Sequence, residues 1–275
     1  MIGKHIKNVF KQDGQVYGID SEFWKNQKFE KFEIENYGDK LYGFYIKNPK
    51  VDTNKLAIVI HGYYSSHEDM TIQSKIFLDL GFNVFCPDCK SHGESKGKTI
   101  GMGYFEKNDL KKWIEYLIAK FGESTEIAIF GWSMGAAIAN LYAGENNCPN
   151  VKCVISDCSY TNAYYEFKTI LKQYKVLVQP TLFLLNQGAK MYGEFNLKDV
   201  DVEKAVKNSN VPILFIHGEK DTLVPYYMSE RLYNAKVNSD KKLEIFKDAE
   251  HCMSYASDKE RYINIIKNFI NTYFV

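Results

Sequence analysis

The sequence predicts an α/β fold, a mostly parallel sheet wrapped by helices with a helical cap inserted in its second half. Three observations carry this. Solid apolar runs such as Leu56-Ala57-Ile58-Val59-Ile60 read as strands buried on both faces. Helical stretches alternate with those runs, as a parallel sheet requires. Residues 160–209 hold helical and aromatic stretches but no good strand, and are too many for a simple connection.

In chain order, Phe32 to Tyr37 and Leu41 to Ile46 read as strands of an antiparallel hairpin, turning around Gly38-Asp39. After Leu56 to Ile60, a helix is expected from His67 to Leu80, closed by Gly81. Phe82 to Cys86 is the next strand. A Gly-, Ser- and Lys-rich loop leads to a helix from Tyr104 to Phe121, ended by Gly122. Glu126 to Phe130 is a strand that runs straight into a helix of small residues. Val151 to Ser156, Pro212 to Ile216 and Leu243 to Phe246 are further strands. The helix Lys259 to Tyr273 closes the chain. The whole, 1–275, reads as one domain with the cap at 160–209 inserted within it.

The 275 residues are 45% apolar, enough for a sizeable core, and the net charge is only +1. No strong field points to nucleic acid or an anionic membrane. Met1 to Gly14 is polar and basic, unlike a signal peptide, and no stretch approaches the ~20 apolar residues of a bilayer span. The expected location is the cytoplasm, and the six cysteines, irregularly spaced, fit a reducing compartment as free thiols. Cys86-Pro87-Asp88-Cys89 has the C-x-x-C form. A zinc site would want a second pair or well-placed histidines, so the pair reads as coincidence at the end of a buried strand.

The chemistry centres on Gly131-Trp132-Ser133-Met134-Gly135, lying between a strand and a helix. A tight strand-to-helix turn lifts a serine hydroxyl clear of the sheet, and flanking glycines leave room for that turn. The helix that follows aims its N-terminus at the site, where negative charge develops. A hydroxyl is a poor nucleophile near neutral pH and needs a base. His251 follows the last strand, at the sheet edge where ligands collect in such folds. Asp221, in His217-Gly218-Glu219-Lys220-Asp221, follows another strand and would hold the imidazole in its working tautomer. Asp157, after the strand following Ser133, is a rival acid with poorer flanks. Backbone N–H donors for an oxyanion are expected from Met134 and from Tyr63, in the loop His61 to Ser66. Tyr64 reads as a packing residue, His217 as part of the loop architecture, His92 as a brace near the turn, and His67 and His5 as surface residues.

These pieces coincide with one family. His61-Gly62-Tyr63, Pro87-Asp88 with Ser91-His92-Gly93-Glu94-Ser95, the Ser133 pentapeptide, Ile216-His217-Gly218 with Asp221 and Val224-Pro225, and His251 together resemble the α/β-hydrolase superfamily, in its serine aminopeptidase-like and acylglycerol-lipase-like branch. The resemblance implies Ser133 as nucleophile, Asp221 as acid, His251 as base, and Tyr63 and Met134 as oxyanion donors, with no metal or organic cofactor. Two departures stand out. The loop usually written Asp-x-Arg-Gly-His-Gly reads Asp88-Cys89-Lys90-Ser91-His92-Gly93, and lysine lacks the bidentate geometry of arginine. The base is followed by Cys252-Met253 where a small residue is usual, which would reshape the pocket rim.

The reaction expected is hydrolysis of an acyl bond in a small-molecule substrate, most simply a carboxylester with a short to medium acyl chain. The apolar run Val176 to Leu185, preceded by Tyr164, Tyr165 and Phe167, would roof an acyl pocket or else pack the cap onto the sheet. A peptidase or amidase is the alternative enzyme. The intact Ser, Asp, His order argues against a non-catalytic binding protein on the same scaffold.

Overall fold

The computed structural model describes residues 21–145 and 148–274; the readings made above for Met1 to Gly14, His5 included, lie outside these. The described strands form one eight-stranded sheet in the order β1-β2-β4-β3-β5-β6-β7-β8. They are β1 (Glu30–Asn36), β2 (Asp39–Ile46), β3 (Lys55–Ile60), β4 (Asn83–Pro87), β5 (Glu126–Trp132), β6 (Val151–Asp157), β7 (Ile213–Gly218) and β8 (Lys241–Phe246). β2 pairs antiparallel with β1 and β4, and every other pairing is parallel. The helices are α1 (Ser21–Asn26), α2 (Thr71–Asp79), α3 (Glu106–Phe121), α4 (Met134–Glu145), α5 (Ala163–Gln173), α6 (Val178–Gly193), α7 (Val202–Asn208), α8 (Tyr227–Ala235), α9 (Ser254–Ser257) and α10 (Lys259–Tyr273). Among the described residues no helix is long and apolar enough to cross a membrane.

The parallel strands alternate between two cores. On β5, Ile127 and Ile129 join side chains of α3, α4, α7 and α8, while Ala128 and Phe130 join those of α2 and α10. This is why the strand runs are solidly apolar: both faces lose water. Helix α4 is buried from Met134 to Ala143, so its small residues allow a close approach to the sheet.

Several boundaries differ from expectation for local reasons. The β1–β2 turn is Tyr37-Gly38, one residue earlier, because Asn36 pairs with Asp39 and both turn residues take positive φ (51° and 75°). The helix expected from His67 starts as a single 3₁₀ turn, His67–Met70, set by reciprocal capping between Ser66 and Asp69. The helix expected from Tyr104 starts at Glu106, whose carboxylate accepts from the N–H groups of Gly101 (2.7 Å) and Gly103 (2.9 Å). Between β6 and β7 the chain is helical. Its last piece, α7, lies against α4 so closely that a Cβ on Gly144 would meet Ala205 O at 2.2 Å. Of Val176 to Leu185, Leu182 is buried, whereas Leu177, Phe183 and Leu184 are exposed.

Candidate active site

Every residue singled out for chemistry follows a parallel strand at its C-terminal end: Tyr63 after β3, Ser133 after β5, Asp221 after β7 and His251 after β8. Ser133 sits in the left-handed region at φ 55°. Its N–H donates to Asp157 O (2.9 Å) and its carbonyl accepts from Ala137 N (3.1 Å), the first turn of α4. The two glycines of the pentapeptide are required by backbone, not by side chains. A Cβ on Gly131 would lie 2.2 Å from Gly135 O, and one on Gly135 would lie 2.2 Å from Ile60 O. Gly188, midway along α6, has nothing within 4 Å of such a Cβ. Gly135→Ala is therefore expected to destabilise the protein by about 3 kcal/mol. Gly188→Ala is expected to stabilise it by about 0.5–1 kcal/mol through helix propensity and lost unfolded-state freedom. Opposite shifts in thermal midpoint check this pair; a neutral Gly135→Ala would mean that β3 and α4 do not meet as described.

The structure brings Ser133, His251 and Asp221 into one hydrogen-bonded chain. Ser133 Oγ lies 3.0 Å from His251 Nε2, and His251 Nδ1 lies 2.7 Å from Asp221 Oδ2. The carboxylate only accepts, so Nδ1 carries the proton and Nε2 is left to accept from the serine hydroxyl. Asp221 is buried and fully engaged. Its Oδ1 accepts from Leu223 N (3.0 Å) and Val224 N (2.8 Å), and its Oδ2 also accepts from His217 Nε2 (3.1 Å). His217 Nε2 donates as well to Val224 O (2.7 Å), and its Nδ1 accepts from Ser229 Oγ (2.6 Å). Burial alone would raise the Asp221 carboxyl; the charge of His251 and the hydrogen bonds from both histidines outweigh it and hold the group well below the usual carboxylate range. Burial would depress His251, but Asp221 first, and then Cys252, outweigh it by charge and hydrogen bonding and raise the imidazole well above its ordinary value. The Asp221 and His251 loops are stitched together: Glu219 N donates to Phe246 O (2.9 Å) and Lys220 N to Ala249 O (3.0 Å).

Asp157, the rival acid, points elsewhere. Its Oδ2 accepts from Tyr262 OH (2.7 Å), and burial lifts its carboxyl to about 6. The loop bearing Tyr63 lies against Ser133, for a Cβ on Gly62 would come within 3.3 Å of Ser133 Cβ. Met134, fully buried, opens α4 directly after the serine. His61 is held neutral, pushed down to about 4 by burial; its Nε2 accepts from Cys89 N (2.9 Å) and its Nδ1 donates to Gly62 O (2.7 Å). That shapes the turn before Tyr63. His92 lies beside the same loop, its ring 5.2 Å from that of His61 and 5.9 Å from that of Tyr63. Tyr64 is more exposed and leans on Tyr63, with ring centroids 4.3 Å apart.

The reading of His67 as a surface residue is corrected. It is buried, stacked 3.5 Å from Phe44, and its Nδ1 donates to Asp88 Oδ1 (2.9 Å). Its polarity is satisfied by a carboxylate that only the fold supplies. Lys90 replaces the usual arginine by pairing with Asp39 (2.5 Å) and lying over the Phe105 ring. Cys86 and Cys89 are buried free thiols; Cys86 Sγ meets Ser74 Oγ (3.3 Å) and is pushed up to about 12 by burial.

Two features escaped the sequence reading. Glu166, in the first turn of α5, is buried and lifted to about 8, first by burial, with His251 opposing and Asp221 adding. An acid on the helix face that also carries Ala163 was the available signal. The second is the partner of Cys252: this thiol faces Cys158, their sulfurs 3.2 Å apart.

With this geometry in hand, similarity to known proteins narrows the family. The Prolyl oligopeptidase family profile matches residues 74–275. The uncharacterized protein YqkD of Bacillus subtilis (strain 168) is 32% identical over 234 residues, covering 84% of this chain and 76% of YqkD. The uncharacterized protein YfhR of Escherichia coli (strain K12) is 25% identical over 278 residues, covering 97% of this chain and 88% of its own. Among solved structures, the Pyrococcus furiosus esterase Pf2001 superposes with a TM-score of 0.70 at 25% identity, covering 90% of this chain and 93% of the esterase. The fold and the profile match agree: the chain is a hydrolase-fold protein of the α/β-hydrolase superfamily and belongs to the prolyl oligopeptidase family.

Proposed function

We propose that this protein is a serine hydrolase that cleaves carboxylesters with short to medium acyl chains through an acyl-enzyme on Ser133. The observation that carries the reading is the unbroken chain from Ser133 Oγ through His251 to Asp221. Ser133 attacks the carbonyl carbon while its proton passes to His251 Nε2. Asp221, ionised and buried, stabilises the imidazolium that forms. The N–H groups of Tyr63 and Met134 hold the oxyanion, each worth ~10²–10³ in rate in comparable sites. His251 returns the proton to the leaving group, and water, activated by the same imidazole, clears the acyl group. No step calls on a metal or an organic cofactor. Residues 160–209 act as the cap, with buried Glu166 of α5 within the electrostatic reach of His251 and Asp221; Tyr164 and Phe167, partly buried against the core, would bound the acyl group.

The similarity to an esterase favours esters, whereas the family match favours a peptide or amide bond. The discriminating experiment sets p-nitrophenyl esters of graded acyl length beside aminoacyl amides, with a fluorophosphonate probe as the test for an active serine. The expected result is stoichiometric labelling at Ser133 and kcat/KM highest for short or medium esters. Amides turned over faster than every ester would make the peptidase reading the right one. A folded protein that neither labels nor hydrolyses any activated ester would leave a binding role on this scaffold.

A further inference from the structure

The thiols of Cys158 and Cys252 have no part in the reaction above, yet they meet at its base. Cys158 directly follows β6, and Cys252 directly follows His251. Their sulfurs are 3.2 Å apart across 94 residues of chain, and with the His251 imidazole they form a cluster whose ligand atoms all lie within 4.8 Å of one another. We propose that Cys158 and Cys252 are a redox modification site, oxidised to a direct disulfide by a small-molecule disulfide such as oxidised glutathione, and that this bond draws His251 away from Ser133.

A disulfide bond is about 2.05 Å long, so the sulfurs must close by roughly 1 Å. The two sides do not share that movement equally. Cys158 is fully buried, and its N–H donates to Ile216 O (2.9 Å) on β7, which fixes it to the sheet. Cys252 is only half-buried and lies in the connection between β8 and α9. Both residues hold left-handed backbones, φ 52° and 63°, which direct the two side chains to one point from different loops. The displacement therefore falls on the loop that carries His251.

The two thiols also differ in reactivity. Burial pushes Cys158 well above the ordinary thiol value. Burial also opposes ionisation of Cys252, but the hydrogen bond from Cys158 and the charge of His251 outweigh it and lower this thiol. Cys252 is therefore the attacking group. Its thiolate forms a bond to one sulfur of glutathione disulfide and expels one glutathione thiolate. Cys158 then loses its proton and attacks Cys252 Sγ, expelling the second glutathione. Two protein thiols are oxidised by two electrons, and one glutathione disulfide is reduced to two thiols. Cys86, Cys89 and Cys153 are buried, which leaves half-exposed Cys148 as the thiol to watch in the assay.

Bridge formation is independent of the proposed hydrolase reaction; only its effect on activity rests on that reading. The test incubates the whole protein in glutathione redox buffers containing EDTA, so that no metal held by the same cluster contributes. Peptide mapping is expected to find a Cys158–Cys252 cross-link and the loss of two hydrogens. Ester hydrolysis and fluorophosphonate labelling should fall together by on the order of 10²-fold, the scale of a 1 Å misplacement, and return with excess dithiothreitol. Cys158→Ala, which accepts the same backbone, should keep basal activity within about 2-fold, since Cys158 is outside the reacting groups. It should form no internal bridge, and glutathione on Cys252 would appear as an added mass. Absence of the cross-link in oxidising buffer overturns the proposal. So does a bridged protein that labels as fast as the reduced one. A native protein that hydrolyses nothing but still forms the cross-link would overturn the hydrolase reading and keep the redox pair.

Discussion

Replacing Ser133 with alanine is expected to lower kcat/KM toward activated esters by roughly 10⁴- to 10⁶-fold, the range seen when a nucleophile that acts with its base is removed. The fold should survive. The Ser133 backbone is held by its own N–H to Asp157 O and by Ala137 N on its carbonyl, neither of which needs the hydroxyl. The side-chain oxygen reaches His251 Nε2, and the His251 side chain is partly exposed, so water can take the place of the lost hydroxyl. Stability should therefore change by less than about 1 kcal/mol. Residual catalysis comes from the oxyanion donors alone and amounts to ~10³-fold over water. The measurement is ester hydrolysis with active-site titration, beside a thermal melt. A variant keeping more than a few per cent of activity, with an unchanged melt, would remove Ser133 from the role of nucleophile.

The tight turn that holds Ser133 was readable in the sequence because the constraint is local. The Gly131 and Gly135 contacts are backbone on backbone, 2.2 Å from a would-be Cβ, so no other residue type serves there and the pentapeptide stands out. His251 and Asp221 were readable for a different reason. Each lies in a loop at the carboxyl end of a parallel strand, and short strand signals locate those ends well. What stayed hidden depends on distant partners. His67 looks like a polar surface residue until Asp88, 21 positions away, is brought to its Nδ1 and Phe44 to its face. Cys158 and Cys252 are 94 positions apart, and nothing in either neighbourhood announces the other. The apolar run Val176 to Leu185 shows the limit of hydropathy itself. It reads as a buried face, yet Leu177, Phe183 and Leu184 are exposed, because apolarity says that a surface gains by being covered and not what covers it.

Asp221→Asn is expected to cost about 10⁴-fold in kcat while leaving the backbone in place, and the hydrogen bonds around the carboxylate say why. Oδ1 accepts from the N–H groups of Leu223 and Val224, so an asparagine must keep its oxygen on that side. Its NH₂ group then occupies the Oδ2 position, facing His217 Nε2 and His251 Nδ1. His217 is already committed to donating, because the same Nε2 bonds to the Val224 carbonyl. His251 is the partner that must yield. Its Nδ1 becomes the acceptor, its Nε2 takes the proton, and the nitrogen facing Ser133 Oγ can no longer receive one. The pH dependence provides the independent readout. In the native protein Asp221 raises His251 above its ordinary 6.5, and the base works only when neutral, so kcat/KM rises with pH through an ionisation above 6.5. Removing the charge of Asp221 removes the largest influence raising that value and leaves only Cys252 to oppose the depression by burial. The residual activity of Asp221→Asn should therefore rise at a lower pH than that of the native protein. A profile that keeps its midpoint, or a loss smaller than about 10-fold, would mean that His251 takes its charge and its orientation from somewhere other than Asp221.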